Sequence, residues 1–187
     1  MIKNVLLFIL GFICASAINL AIQGYAMAAS TSEYSVPTGF FYSNWRQWQN
    51  LENRIESSTS DVVVLDWSGR GGHVSLGDRF IRFLRNTHKY VILRSVGENY
   101  SMHSLVFCAA PHTEFRQGFL MFHLEADSDT HKVMTDWGSQ EDNREHMNPC
   151  ISKGIVTDHD IEEVNQDRVL YVYPSGQKEF TSDTRRK

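Results

Sequence analysis

The chain lacks the clustered positive charge with which nucleic-acid-binding proteins neutralise phosphates. It contains 18 Lys and Arg against 22 Asp and Glu, which gives a formal net charge of −4 over 187 residues. The one basic run, Arg185-Arg186-Lys187, stands at the end of the sequence. Because affinity for nucleic acid depends on concentrated Lys and Arg, this charge distribution argues against a nucleic-acid partner.

Metal-binding and phosphate-binding motifs are also missing. None of the eight histidines belongs to an HExxH sequence, and no Cys/His cluster has the spacing of a zinc site. The glycine-rich stretch 69–72 lacks the Lys-Ser/Thr ending of a phosphate loop and the glycine spacing of a dinucleotide site. The sequence therefore predicts neither a metal centre nor a bound cofactor.

Charged residues are almost absent from the first 28 positions. Lys3 lies in a short positive start, 5–22 is an almost wholly apolar run, and Ala26-Met27-Ala28 supplies the small residues of a cleavage site. This order is typical of a secretory signal peptide that is removed after Ala28. Because the apolar run is long, an uncleaved membrane anchor is the alternative. Both predict a periplasmic or secreted protein, and the anchor adds association with a membrane.

Cysteine is scarce, and after the first 28 residues only Cys108 and Cys150 remain. Two cysteines in an exported protein can form a single disulfide. The alternative is that Cys108 is a buried free thiol, because it lies in the apolar run 105–110, where a small thiol packs well. The sequence alone leaves both open.

Apolar runs and amphipathic stretches alternate through the middle of the chain. An amphipathic helix is predicted over 43–57, and strand, helix, strand and helix follow over 61–67, 74–86, 90–96 and 101–110. Parallel strands require crossover connections of this kind. The order therefore predicts an α/β fold with repeated strand-turn-helix crossovers around a mainly parallel sheet.

The last third of the chain has a weaker pattern. The further predicted elements are a turn over 114–118, a strand over 119–124, a long helix within 127–147, a helix over 158–166 capped by Thr157, and a strand over 168–173. The predicted organisation is a signal peptide over 1–28, a linker over 29–42, one domain over 43–176 and a polar tail over 177–187.

One serine, Ser101, stands where a strand passes into a helix. The first turn of a helix has unpaired N–H groups, and its dipole favours negative charge. An oxyanion formed beside Ser101 would therefore meet donors already in place. His123 ends a later strand and is a candidate general base, because the carboxyl ends of parallel strands share one edge. The alternatives are a helix N-cap for Ser101 and a core residue for His123.

Four short motifs occur in order between 61 and 124. They are Ser68-Gly69-Arg70-Gly71-Gly72-His73-Val74-Ser75-Leu76-Gly77, Gly97-x-x-x-Ser101-Met102, Cys108-Ala109-Ala110 and Met121-Phe122-His123. Together they resemble the Clp peptidase family, the proteolytic subunit of the ATP-dependent Clp protease. The first is similar to the family's Ser-Pro-Gly-Gly-Ser-Val-x-x-Gly segment, and the last is similar to its Met-Ile-His. The resemblance implies a Clp/crotonase-like fold over roughly a third of the chain.

The resemblance assigns a role to each matching residue. It implies that Ser101 is the nucleophile of a serine peptidase and that His123 is its general base. It implies that the backbone N–H groups of Gly72 and Met102 form the oxyanion hole. The substrate would be a peptide or an unfolded protein, and the chain would form a homo-oligomer, as family members do.

A third triad member is implied as well, an aspartate that orients the histidine. Asp167, in Asp167-Arg168-Val169-Leu170, is the nearest match to the family's segment, and Asn165 and Asp158 are alternatives. Exported relatives of the same superfamily, such as signal-peptide peptidases and small periplasmic Clp-like proteins, are the closer comparison for an exported chain.

Three residues near the serine depart from the family's pattern. Asn99 and Tyr100 stand where the family has small residues, and His103 stands where it has glycine. We expect their bulk to narrow the cleft, which keeps open a non-catalytic Clp-like protein that acts in binding or assembly. A crotonase-type acyl-CoA enzyme is a third hypothesis, and export argues against it because CoA substrates are cytoplasmic.

Overall fold

A six-stranded sheet forms the centre of the fold. The computed structural model describes residues 31–35, 45–124, 137–166 and 168–182. The strands are β1 (Thr31–Ser35), β2 (Val62–Gly69), β3 (Tyr90–Tyr100), β4 (His112–Phe122), β5 (Arg168–Val172) and β6 (Lys178–Ser182). They lie side by side in chain order, with β1 to β4 parallel and β5 and β6 antiparallel. The predicted α/β class and mainly parallel sheet are confirmed.

Five helices accompany the sheet in the described part of the chain. They are α1 (Trp45–Glu56), α2 (Val74–Asn86), α3 (Met102–Ala109), α4 (Trp137–Ser152) and α5 (Asp158–Asn165). The helix α2 has the predicted bounds, and α1, α3 and α5 differ from the prediction only at their ends. The helix predicted within 127–147 is α4, which runs past Met147 through Pro149; positions 127–136 lie outside the described residues.

One buried core lies between the helices and one face of the sheet. Trp48 of α1 and Trp67 of β2 both pack on Phe80 of α2, with ring centroids 4.5 and 5.9 Å apart. All three rings are buried. Burying an aromatic side chain of this size contributes on the order of 2–3 kcal/mol. This packing fixes the position of β2 relative to α1 and α2. The carboxyl ends of the parallel strands β1 to β4 lie at one edge of the sheet.

β3 and β4 are longer than the sequence pattern predicts. The predicted turn over 114–118 and the strand after it are one continuous strand, β4. The pairing of β3 with β4 shifts after Ser95, and Gly118, with φ +75°, pairs with Gly97 across the shift. A Cβ on Gly118 would lie 1.8 Å from the Gly97 carbonyl oxygen. Gly118, which the sequence pattern assigns to a turn, therefore lies within β4 at a bulge, where the backbone of β3 approaches closely.

Two segments predicted to be a linker and a tail contain the edge strands. Thr31–Ser35, within the predicted linker, is β1, where the Glu33 carboxylate accepts two hydrogen bonds from Arg94 at 3.1 and 3.2 Å. Lys178–Ser182, within the predicted tail, pairs with β5 across a tight turn in which Tyr173 N–H donates to Gln177 O. Both strands are polar, so partner strands and ion pairs define them rather than hydrophobic alternation.

Cys108 of α3 and Cys150 of α4 form a disulfide, and both are fully buried. Of the two alternatives that the sequence leaves open, the structure has the disulfide. The bond closes a sequence separation of 42 residues, which on the loop-entropy model corresponds to about 4 kcal/mol of stabilisation. It fixes α3, the helix that begins at the candidate nucleophile.

The predicted signal peptide over 1–28 lies outside the described residues. None of the helices within the described ranges has an apolar stretch of the length that a membrane span requires.

Candidate functional site

Ser101 lies between β3 and α3 in an unusual backbone conformation. Its φ and ψ are 54° and −124°, and within the described ranges it is the only residue other than glycine with a positive φ. Its N–H donates to the Met121 carbonyl oxygen of β4 at 2.8 Å. Its side chain makes no helix-capping hydrogen bond although it occupies the N-cap position. The structure therefore does not support the simple N-cap role.

The conformation of Ser101 stores strain. A residue with a side chain in a sparsely populated region of φ and ψ costs about 1–3 kcal/mol, and such residues concentrate at functional sites. The same arrangement, a sharp turn from a strand into a helix with the serine at its tip, holds the nucleophile in other hydrolases. The backbone conformation therefore makes Ser101 a candidate for a functional residue.

The glycine-rich turn after β2 packs directly against the serine. A Cβ on Gly71 would lie 2.8 Å from Ser101 Cβ and 2.9 Å from the Tyr100 carbonyl oxygen. Gly71 and Gly72 both have a positive φ, 87° and 143°. A turn this close to Ser101 therefore requires glycine for contact as well as for conformation. The structure brings the predicted Gly72 into the segment beside the serine.

His103 holds the same turn from the interior. Its ring is fully buried, and Nδ1 accepts a hydrogen bond from Gly71 N–H at 3.1 Å. Burial lowers the pKa of His103 to about 3, so the ring is neutral. The Gly71 N–H is therefore engaged, and the Gly72 amide is the one that the Clp resemblance implies for the oxyanion hole.

Met102 is the first residue of α3 and is buried. The first amides that donate to the Ser101 carbonyl are those of Ser104 and Leu105, at 2.8 and 3.2 Å. The Met102 N–H precedes them and has no acceptor within the helix. A Cβ on Gly77 of α2 would lie 2.2 Å from Met102 Cε, so this glycine admits the methionine side chain. Contact between α2 and α3 thus explains why Gly77 and Met102 occur together.

His123 follows the end of β4, near the serine. Tyr100 pairs with Met121 in the sheet, and the Ser101 N–H binds the Met121 carbonyl, so His123 lies two residues beyond that contact. His123 Nδ1 is 2.5 Å from the Leu124 carbonyl oxygen. A carbonyl only accepts, so Nδ1 carries a hydrogen, and in the neutral ring Nε2 then carries the lone pair. This tautomer is the one a general base requires.

The predicted third triad member, Asp167, lies outside the described residues. It directly precedes β5, and β5 runs antiparallel to β4 with Leu170 opposite Phe122. The start of β5 therefore lies at the same edge of the sheet as the end of β4.

The two alternatives for the third member occupy opposite ends of α5. Asn165 stands at the end nearer β5, and its Oδ1 accepts a hydrogen bond from Asn143 at 3.0 Å. Asp158 begins the helix, about 10 Å away by helical rise, and forms an exposed ion pair with Arg144. The structure thus gives both side chains partners of their own.

The three residues expected to crowd the serine point in different directions. Asn99 and His103 are fully buried, and the Asn99 amide donates to Ser95 Oγ and the Gly97 carbonyl. Tyr100 is half-buried and donates its hydroxyl hydrogen to Glu98 at 2.6 Å, which raises the tyrosine pKa to about 12. The bulk of Asn99 and His103 therefore fills the interior, contrary to the expectation that it narrows the cleft.

Ser104 is a residue of the site that the sequence pattern does not reveal. Its Oγ donates to the Asn99 carbonyl at 2.8 Å and accepts from Met121 N–H at 3.0 Å, so it joins the ends of β3 and β4. A serine in a short, mostly apolar helix has no distinctive signature. Only the tertiary contacts identify it.

A groove at the other end of the strands is separate from this site. It is lined in part by Tyr90, His112 and Lys153, and Lys153 Nζ donates to the Ala110 carbonyl at 2.5 Å. Burial lowers the pKa of Lys153. β3 runs from Tyr90 to Tyr100, which at the rise of a strand places the groove about 30 Å from Ser101.

Among the described residues no group of three or more His, Cys, Asp or Glu could hold a metal ion.

Comparison with known proteins gives a structural likeness but no match by sequence. No protein-family model matches the chain, and no curated protein matches it by sequence. The fold is similar to a solved structure of a ClpP1 mutant from Listeria monocytogenes, with a TM-score of 0.48 and 14% sequence identity. The likeness covers 86% of this chain and 87% of that one. At this identity and TM-score it bears on the fold alone, and no activity follows from it.

Proposed function

We propose that the chain is an exported serine peptidase of the Clp-like type, which cleaves peptide bonds through an acyl-enzyme. The observation that carries the proposal is the backbone of Ser101, which is strained and packs against the Gly71-Gly72 turn. Ser101 precedes α3, but its side chain makes no capping hydrogen bond. A serine that only terminated a helix would gain nothing from that strain. A nucleophile gains exposure of its hydroxyl beside unpaired amides.

The proposed reaction has two halves. Ser101 Oγ attacks the carbonyl carbon of the peptide bond while His123 Nε2 takes its proton. Asp167 is proposed to orient the imidazole by sharing the Nδ1 hydrogen that the Leu124 carbonyl also accepts. The N–H groups of Gly72 and Met102 stabilise the oxyanion of the tetrahedral intermediate. The proton then passes from His123 to the leaving amine as the C–N bond breaks. Water, activated by His123, releases the acyl group from Ser101 and completes the cycle.

Export is part of the proposal, because of the signal-like segment 1–28 and the cysteine pair. Buried disulfides such as Cys108–Cys150 persist in oxidising compartments and are rare in the cytosol. The proposed location is therefore the periplasm or the exterior of the cell. The proposed assembly is a homo-oligomer, on the basis of the Clp resemblance.

Hydrolysis of unfolded peptides by the purified protein lacking residues 1–28 tests this function. Ser101→Ala should abolish turnover, because removal of a triad nucleophile costs several orders of magnitude in rate. Ser175→Ala is the matched control, since Ser175 lies exposed in the turn between β5 and β6. Equal turnover by wild type and Ser101→Ala would reject the peptidase.

A non-catalytic binding protein on the same fold is the second candidate, and Tyr100 favours it. Its ring lies edge-on to Phe119, 5.2 Å away, and Phe119 also contacts Tyr171 and Tyr173. An aromatic cluster beside the serine can bind a partner without any chemistry. This candidate predicts that Ser101→Ala changes nothing while Tyr100→Ala weakens binding of an unfolded peptide.

A further inference from the structure

The side chain of His103 connects the helix of the proposed nucleophile to the glycine turn. The ring lies 5.0 Å from Trp67, whose Nε1–H donates to the His103 carbonyl at 3.0 Å. A Cβ on Gly69 would lie 2.2–2.6 Å from three atoms of the imidazole. Glycine at 69 therefore leaves the space that the histidine fills.

Gly71 lies between His103 and the serine. Its N–H donates to His103 Nδ1 at 3.1 Å, and its Cα faces Ser101 and the Tyr100 carbonyl. The His103 imidazole therefore contacts the glycine turn, and that turn contacts the proposed nucleophile, Ser101. His103, two residues after Ser101, therefore holds the glycine turn that packs against Ser101.

Contacts with neighbouring segments fix the direction of the turn: Gly72 lies in a β-bridge, and Gly71 is held by the His103 hydrogen bond. Gly71 and Gly72 both have a positive φ, and glycine loses more conformational freedom on ordering than any other residue. Without the Nδ1 acceptor, the Gly71 N–H would be a buried donor that has lost its partner. The turn would rotate to hydrate that donor, and rotation at Gly71 would redirect the Gly72 N–H.

We propose that His103 is a positioning residue that locks the Gly71-Gly72 turn, so that the Gly72 amide points at the oxyanion of the Ser101 adduct. The inference rests on the peptidase function proposed above. His103 does not touch the reacting atoms; it acts through the Gly71 amide. The bulk that replaces the family's glycine at this position thus has a use at the site instead of obstructing it.

Two substitutions of His103 separate this role from mere core filling. His103→Asn keeps an acceptor near the position of Nδ1, and His103→Leu keeps bulk without an acceptor. We expect His103→Leu to lower kcat for peptide hydrolysis by about 10²–10³-fold, the usual loss of one oxyanion donor, with KM changed less than about threefold. We expect His103→Asn to retain kcat within about tenfold of wild type.

Val106→Ala is the matched control for stability, because Val106 is fully buried in the same helix, three residues after His103. It should lower the melting temperature and leave kcat within about twofold. A kcat loss in Val106→Ala equal to that in His103→Leu would overturn the positioning role. So would a His103→Leu enzyme with wild-type kcat.

Amide hydrogen exchange gives a readout that needs no activity. The Gly71 amide should be protected in wild type and His103→Asn and should exchange at least about tenfold faster in His103→Leu or, where that variant does not fold, in His103→Ala. Fast exchange of Gly71 in the wild type would overturn the inference even with the peptidase intact. Absence of Ser101-dependent turnover together with a protected Gly71 would overturn the function and, with it, the catalytic role of His103.

Discussion

Ser101 adopts a conformation that a residue with a side chain adopts only when its surroundings enforce it. The Met121 carbonyl accepts its N–H, and the Gly71 backbone fills the space beside its Cβ. The strain costs about 1–3 kcal/mol, which the packed elements on either side must offset. At this scale the site is a small cluster in which the serine and the glycine turn depend on each other.

Gly71→Ala tests that dependence. We expect it to destabilise the protein by about 2–4 kcal/mol, through the cost of a positive φ and through the clash with Ser101, and to lower kcat/KM by at least 10²-fold. Gly176→Ala is the matched control, because Gly176 has a similar φ of +82° and open space around it. It should cost about 1–2 kcal/mol with kcat/KM unchanged. Denaturant unfolding and peptide hydrolysis measure both, and equal effects of the two substitutions would contradict the packing argument.

The residues of the site differ in how far their roles follow from sequence. Ser101, Met102 and His123 belong to recognisable motifs, because the catalytic roles proposed for them restrict residue type and spacing. His103 and Ser104 do not, because their roles depend on which way a side chain points from the first turn of α3. That direction is set by contacts with β2 and β4, which are distant in the sequence.

α3 is the element on which the site depends, and contacts on several sides fix it. Ser104 Oγ binds Met121 N–H of β4, Met102 enters the space at Gly77 of α2, and Cys108 is bonded to α4. A short helix of eight residues has little stability of its own. Its position, and that of the serine before it, is therefore set by these neighbours.

Removal of the disulfide tests how much α4 contributes. We expect the double variant Cys108→Ala, Cys150→Ala to unfold with a free energy about 3–4 kcal/mol below that of the oxidised wild type, because the unfolded chain regains the freedom of a 42-residue loop. Urea unfolding with and without reductant measures the difference. Reductant should lower wild-type stability and leave the double variant unchanged; an identical transition in all samples would refute a stabilising disulfide.

α5 begins with a capping box, in which the Thr157 hydroxyl accepts from Asp160 N–H and the Asp160 carboxylate accepts from Thr157 N–H. Burial alone would raise the pKa of Asp160, but hydrogen bonds from Lys178 and Thr157 outweigh it, and the pKa is lowered. The folded pKa thus lies below the unfolded value of about 3.9. The stabilisation is complete above that value and is lost as pH falls through the folded pKa.

Asp160→Asn should therefore destabilise the protein by about 1–2 kcal/mol at pH 7, and the difference from wild type should shrink below about pH 4. Urea unfolding between pH 7 and pH 2.5 measures it. Glu162→Gln, on the exposed side of the same helix, should have little effect at any pH. A difference between wild type and Asp160→Asn that grew on acidification would contradict the assignment.

At the scale of the whole molecule, the central strands and their helices follow from the sequence, and the sheet edges do not. β2 and β3 contain continuous apolar runs, and α2 has apolar residues at helical spacing, so their patterns alone identify them. β1 and β6 are polar and become strands because a neighbouring strand offers free N–H and C=O groups. The pairing of β5 with β4 depends on tertiary contacts and does not follow from the sequence pattern either. It brings the start of β5 to the edge of the sheet where His123 lies.

The most direct test of the proposed nucleophile is to find which residue reacts. The protein lacking residues 1–28 should be treated with a fluorophosphonate, digested and mapped by mass spectrometry. The proposal predicts one adduct, on Ser101, with none in Ser101→Ala and undiminished labelling in Ser175→Ala. A wild-type protein that carries no adduct, or an adduct on another residue that persists in Ser101→Ala, would contradict it.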